Sequence, residues 1–249
     1  MVARRSKWNQ HGTTYLAKHL FCTAVVLRGV VSFNRMYYYL SLLFFCFCSV
    51  TLDLSDNGLY GQLTNRFQTM SRLGHLILDG NRFNSTLEEI LNCGNCNSTL
   101  TTLSSYQNPL SGDIPERLFD FSKLSWLSIT KSELTGTIPS AFGRLTALEH
   151  LNLAENDYFS NTTVLPTEMG TLTNLQYLSV SDSVVGGTIP LEFSNLSSLK
   201  TLRIAVRYTS LTGSIANEIC AIDGLETIEH SDGVNCSCPG NVCKFVPIV

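Results

Sequence analysis

Apolar side chains recur along this chain in one frame, Leu-x-x-Leu-x-Leu-x-x-Asn-x-Leu, from about residue 50 onward. It runs Leu73, Leu76, Leu78, Asn81, Phe83 and then Leu100, Leu103, Ser105, Asn108, Leu110. Further copies are Leu124, Leu127, Ile129, Ser132, Leu134 and Leu148, Leu151, Leu153, Asn156, Tyr158. Leu175, Leu178, Val180, Ser183, Val185 follow, then Leu199, Leu202, Ile204 with Leu211. A partial unit (Leu52, Leu54, Asn57, Leu59) precedes the series and a degenerate one (Leu225, Ile228) closes it. The period-two pair Leu-x-Leu places both side chains on one face of a short strand. One such strand cannot bury its apolar face alone, so the frame predicts strands stacked in parallel around a continuous core.

Polar and special residues fall at matching offsets. Gly112-Asp-Ile-Pro115, Gly136-Thr-Ile-Pro139 and Gly187-Thr-Ile-Pro190 mark where the chain leaves the strand and descends the outer face. Glycine permits positive φ there, and proline fixes φ while removing a donor. The asparagine amide can satisfy main-chain groups of adjacent turns that are closed to water. Ser132 and Ser183 replace it twice, which predicts weaker turns. Three repeats are lengthened, by Asn92–Asn97, by Phe159–Thr163 and by Ala205–Ser210; insertions of this kind are expected as surface loops.

The pattern resembles the plant-type leucine-rich repeat, found in receptor-like proteins, receptor kinases and polygalacturonase-inhibiting proteins. That resemblance covers roughly Val50 to Leu225. It implies an α/β repeat solenoid, a leucine-rich-repeat arc with a parallel sheet on the concave face and short 3-10 or irregular segments on the convex face. The expected organisation is an N-terminal basic and hydrophobic segment over 1–49, about seven repeats over 50–225 and a cysteine-containing cap over 226–249. The closing stretch, with its Ile-Cys-Ala and Val-x-Cys-x-Cys, is similar to the caps of secreted diatom leucine-rich-repeat proteins.

Charge sharpens the division. The formal charge of −3 combines six basic and no acidic residues before Asp53 with 11 basic against 20 acidic residues after it. A body that acidic repels phosphate backbones, which argues against nucleic acid as a partner. Within the first segment, residues 36–50 form an uncharged apolar stretch shorter than the about 20 residues of a transmembrane helix. It reads as a signal-peptide core, as a signal anchor, or as a misassigned start that displaces the true cap.

Nine cysteines include Cys93 and Cys96, candidates to staple their own loop, and Cys220, Cys236, Cys238 and Cys243 around the C-terminal cap. Disulfides there would pin the cap over the open end, with the pairing left open; a zinc site is the rival reading. Asn84, Asn97, Asn161, Asn195 and Asn235 begin glycosylation sequons. Together these favour a secreted or cell-surface glycoprotein with disulfide bonds.

The position just before the second leucine gives a row expected on the concave face: His75, Thr102, Trp126, His150, Tyr177, Thr201 and Thr227. Farther along come Asp79, Tyr106, Lys131, Glu155 and Asp182. Large amphipathic side chains on a pre-formed surface suit protein recognition, so His75, Trp126, Lys131, His150, Glu155, Tyr177 and Asp182 are the candidate ligand-binding residues. Rings at this position can also simply stack on one another. Neither a nucleophile motif nor a phosphate-cradling glycine loop appears, and His75 and His150 lie three strands apart, roughly 14 Å at a spacing of about 4.7 Å. The expectation is a non-enzymatic module without cofactor or metal, binding a protein, peptide or glycan, with a membrane-bound co-receptor or kinase as a further partner. The alternatives are a secreted inhibitor of a foreign hydrolase and a structural cell-wall or adhesion protein.

Overall fold

The computed structural model describes residues 24–26, 50–65, 67–205 and 210–247. Its spine is a ten-stranded, all-parallel sheet in which spatial order follows chain order. The strands are Ala24–Val26, Thr51–Asp53, His75–Ile77, Thr102–Tyr106, Trp126–Thr130, His150–Asn152, Tyr177–Ser179, Thr201–Arg203, Thr227–His230 and Cys243–Phe245. The frame leucines at their centres, Leu52, Leu76, Leu103, Leu127, Leu151, Leu178 and Leu202, are all buried. Each contributes about 1.5–3 kcal/mol of burial, but only because the next repeat covers it. The fold is a leucine-rich-repeat solenoid.

The Gly-x-Ile-Pro segments explain the other side of each coil. Pro115, Pro139, Pro166 and Pro190 occupy the N-cap position, with φ between −79° and −60°, of the 3-10 turns Glu116–Asp120, Ser140–Arg144, Thr167–Thr171 and Leu191–Asn195. Each turn buries one large side chain at its third position: Leu118, Phe142, Met169 and Phe193. In two repeats that lack this proline the chain forms a short α-helix instead. Leu87–Ile90 starts with a capping box between Thr86 and Glu89, and Asn217–Cys220 follows Ala216. Between the two faces, small parallel pairs line the flank, such as Tyr60–Gly61 with Arg82–Phe83 and Ser111–Asp113 with Glu133–Thr135.

The asparagine ladder knits the coils together. Asn81 accepts from Leu59 N and donates to Leu54 O of the preceding repeat. Asn108 likewise accepts from Phe83 N and donates to Leu78 O. The two serine substitutions differ. Ser183 Oγ still reaches back to Leu153 O and accepts from Asn156 N, whereas Ser132 Oγ bonds only Thr130 O of its own turn.

Two of the lengthened repeats form surface loops, with Gly94, Asn95, Asn97, Asn161 and Thr162 exposed, and each loop is anchored by buried residues. Cys93 and Cys96 are disulfide-bonded and buried in the core. Phe159 and Thr163 are also buried, while Tyr158 and Val164 beside them are exposed. The bulge at 205–210 lies mostly outside the described residues. At the C-terminal end the cap does not merely lie over the sheet but extends it, Cys243–Phe245 pairing with Thr227–His230. Cys220–Cys238 and Cys236–Cys243 form the bonds that hold it, so these sulfurs are not available to a metal.

At the N-terminal edge, Ala24–Val26 pairs in parallel with Thr51–Asp53. The offset of 27 residues equals that between His75 and Thr102 or His150 and Tyr177. The stretch expected as a leader thus carries a strand in register with the array. Of the apolar segment 36–50, only Val50 is among the described residues.

Candidate functional site

A parallel, in-register sheet sets equivalent residues of consecutive repeats about 4.8 Å apart, close to the distance at which flat rings stack. The register aligns Thr51, His75, Thr102, Trp126, His150, Tyr177, Thr201 and Thr227 in one row. Its three consecutive rings form a pile. Trp126 and His150 lie 3.6 Å apart between centroids with planes 2° apart, and His150 and Tyr177 lie 4.3 Å apart at 8°. Trp126 is 44% exposed, while His150 and Tyr177 are half-buried. Burial between the two larger rings pushes the His150 imidazole down to about 4, so the pile is uncharged at neutral pH.

Residues on both sides of the pile are tied to neighbours. His75 Nδ1 and Thr102 Oγ1 share a hydrogen bond of 2.9 Å. At the other end Arg203 donates to the Tyr177 hydroxyl at 3.4 Å and to the Glu229 carboxylate. Burial opposes the charge on Arg203, but the bonds to Tyr177 and Glu229 outweigh it and raise the guanidinium above its ordinary value. Arg203 and Glu229 escaped the sequence reading. The available signal was their place immediately after the second frame residue, Leu202 or Ile228, which points to the same face as the ring row.

The second expected row divides. Asp79 and Tyr106 stand three places after the second leucine, on the sheet face. The register pairs Tyr106 with Thr130, so Lys131, Glu155 and Asp182 fall one place later. These three have φ of 52°, 57° and 52°. They occupy left-handed turns that end the strands, with Asp56 and Gln107 in the same conformation, and sit on the rim rather than on the concave face. The physical reason is that the chain must turn sharply at this point to begin its descent, and the fourth place after the leucine is where it does so. Lys131 and Glu155 line a flank groove of about 630 Å³ with Asp56, Arg82, Glu133 and Tyr158; Asp182 does not reach it.

Asp79 remains on the face and is turned toward the next strand. Its Oδ1 accepts from Ser104 Oγ and from Tyr106 N, both at 2.8 Å. Tyr106 is 41% exposed. All five sequon asparagines, Asn84, Asn97, Asn161, Asn195 and Asn235, are exposed and lie off the main sheet. Among the described residues no helix is long and apolar enough to cross a membrane.

No protein-family model matches the chain. Receptor-like protein 39 of Arabidopsis thaliana is 32% identical over 143 residues, covering 56% of this chain and 15% of that protein. Receptor-like protein EIX2 of Solanum lycopersicum is 39% identical over 103 residues, covering 40% and 10%. The chain therefore corresponds to a small part of the length of these relatives. Among solved structures, the Arabidopsis receptor kinase HAESA, in complex with the peptide hormone IDA and the co-receptor SERK1, is similar over 90% of this chain and 37% of its own, at 30% identity and a TM-score of 0.67. A TDR receptor structure is similar over 79% and 34%, at 26% identity and a TM-score of 0.68. The chain is thus homologous to plant receptor-like proteins and shares its fold with plant receptor ectodomains.

Proposed function

We propose that this solenoid is a non-catalytic recognition module that takes a peptide or protein ligand on its concave face, outside the cell. The observation that carries the reading is the pre-stacked pile Trp126–His150–Tyr177, locked at one end by Arg203 and Glu229 and exposing Trp126. Rings already held in place lose little conformational freedom on binding. Exposed tryptophan and tyrosine are the side chains that most often carry interface energy. The solved ectodomains similar to this chain include peptide complexes, HAESA with IDA and PEPR1 with AtPEP1. The extracellular setting is supported by three disulfides and by exposed sequons that leave the concave face uncovered.

The test is to select peptides from a displayed random library on the full chain, then measure their affinity for variants. Trp126→Ala and Tyr177→Ala should each weaken the selected peptides by about tenfold or more, the loss typical of an interface anchor. Glu168→Ala, on the convex face, should leave them unchanged. Peptides indifferent to both ring substitutions, on variants that keep their circular dichroism, would refute the concave-face reading.

A further inference from the structure

Away from the ring pile, five consecutive coils line the flank groove of about 630 Å³, and the repeat frame explains its lining. The frame position held by Asn81, Asn108 and Ser132 is buried and lies at its base. The residue before that position is the left-handed one, namely Asp56, Gly80, Gln107, Lys131 or Glu155, with φ between 52° and 64°. These five make one row of the lining. The residue after that position makes a second row: Gly58, Arg82, Pro109, Glu133 and Asp157. Tyr158, exposed, stands at the fifth coil.

The two rows carry charge that the protein does not use internally. Asp56, Glu133, Glu155 and Asp157 supply carboxylates, and Arg82 and Lys131 supply cations. All six are exposed, and none makes a side-chain hydrogen bond or an ion pair among the described residues. The convex face differs, since there Arg144 holds Glu116 and Asp120, and Arg117 faces Glu88. Main-chain groups along the groove are already spent between coils, as Arg82 N on Leu59 O and Glu133 N on Leu110 O show. What the groove offers is therefore a line of free side-chain donors and acceptors.

We propose that this groove is a second binding site, for a neutral oligosaccharide, separate from the concave face. A hydroxyl both donates and accepts, so a sugar serves carboxylates and cations alike. A neutral chain of hydroxyls thus satisfies both signs of charge without carrying any, and bonds to ionised groups are the stronger kind. The Tyr158 ring has an apolar body and a polar tip, which suits the C–H face of a pyranose. Four carboxylates against two cations repel an acidic glycan. An extended peptide needs an unpaired strand edge or apolar side-chain pockets. Here the main-chain groups are spent, and apart from Pro109 and Tyr158 the lining is glycine or polar. Five coils at about 4.8 Å a step make the groove roughly 19 Å long, the reach of several sugar units in line.

The experiment titrates the full chain by isothermal calorimetry with cellohexaose, xylohexaose, chitohexaose and, as the acidic counterpart, hexagalacturonate. At least one neutral hexamer should bind saturably, about tenfold or more tighter than its own dimer. Arg82 and Asp157 stand three coils apart, roughly 14 Å, too far for a dimer to touch both. Arg82→Ala and Asp157→Ala should therefore each weaken the hexamer by about tenfold, and Tyr158→Ala by about threefold or more. All three side chains are exposed, so the coils keep their packing. Trp126→Ala should leave sugar binding unchanged. Three results would each overturn the site: no neutral hexamer bound, hexagalacturonate bound as tightly, or affinity indifferent to Arg82→Ala and Tyr158→Ala. Sugar binding lost on Trp126→Ala would move the sugar to the concave face and overturn it as well. Library-selected peptides keep the two readings apart. If they are lost on Trp126→Ala in a chain that binds no sugar, the groove falls and the concave-face reading stands.

Discussion

Replacing Asn108 by alanine tests the view that the asparagine ladder, and not leucine burial alone, couples neighbouring coils. Asn108 is 1% exposed. Its Oδ1 accepts from Phe83 N at 3.0 Å, and its Nδ2 donates to Leu78 O at 2.9 Å and Ser105 Oγ at 3.1 Å. Leu78 O also accepts from Asn81 Nδ2 at 2.8 Å, so that carbonyl keeps a partner in the variant. Phe83 N loses its side-chain partner and, being buried, costs about 1–3 kcal/mol. The two lost donations add about 0.5–1.5 kcal/mol each, for a total of roughly 2–6 kcal/mol. Ser132 occupies the equivalent place one repeat later but makes a single bond of 3.4 Å within its own turn, so Ser132→Ala should cost about 1 kcal/mol or less. Urea unfolding followed by circular dichroism gives the ranking. Hydrogen exchange at the Phe83 amide gives the local effect, which should be a loss of protection in Asn108→Ala alone. Equal destabilisation by the two substitutions, or a Phe83 amide as protected as before, would refute the reasoning.

Two further outcomes follow from the geometry. A Cβ added at Gly170 would stand 2.4 Å from the Glu192 carbonyl oxygen, so the convex turns could not approach as closely; Gly170→Ala should destabilise by about 1–3 kcal/mol, and a midpoint unchanged in urea would contradict this. His150 binds its proton more weakly folded, near 4, than at its ordinary 6.5, so the unfolded chain holds more protons between those values. The stabilising contribution of the neutral imidazole is therefore complete above about 6.5 and is lost as pH falls toward about 4. His150→Phe, which keeps a flat ring in the pile, should flatten that part of the stability profile, and an unaltered slope would count against it.

Much of the site was legible because it follows from repetition. The place before the second leucine puts His75, Trp126, His150 and Tyr177 in one row as soon as the strands are parallel and in register. What counting could not supply was the end of the strand. Lys131, Glu155 and Asp182 look like continuations of the face, but a left-handed residue turns the backbone at that place, and their side chains leave by the rim. Nor could spacing reveal that Cys220 joins Cys238 while Cys236 joins Cys243, since four cysteines admit several pairings and only the packed cap selects one.

The sequence by itself determined the solenoid, the parallel sheet and the row of rings, because a repeated local frame can bury its leucines only by stacking coil upon coil. The tertiary structure decided what that surface offers. It closed one face of Trp126 against His150, bonded Asp79 to Ser104 and Tyr106 of the next strand, and used Arg203 to brace Tyr177. The Trp126–His150, Asp79–Ser104 and Arg203–Tyr177 contacts join residues 24 to 26 positions apart through side-chain rotamers. No local pattern encodes a rotamer, since it is chosen by whichever neighbours the stacking brings alongside.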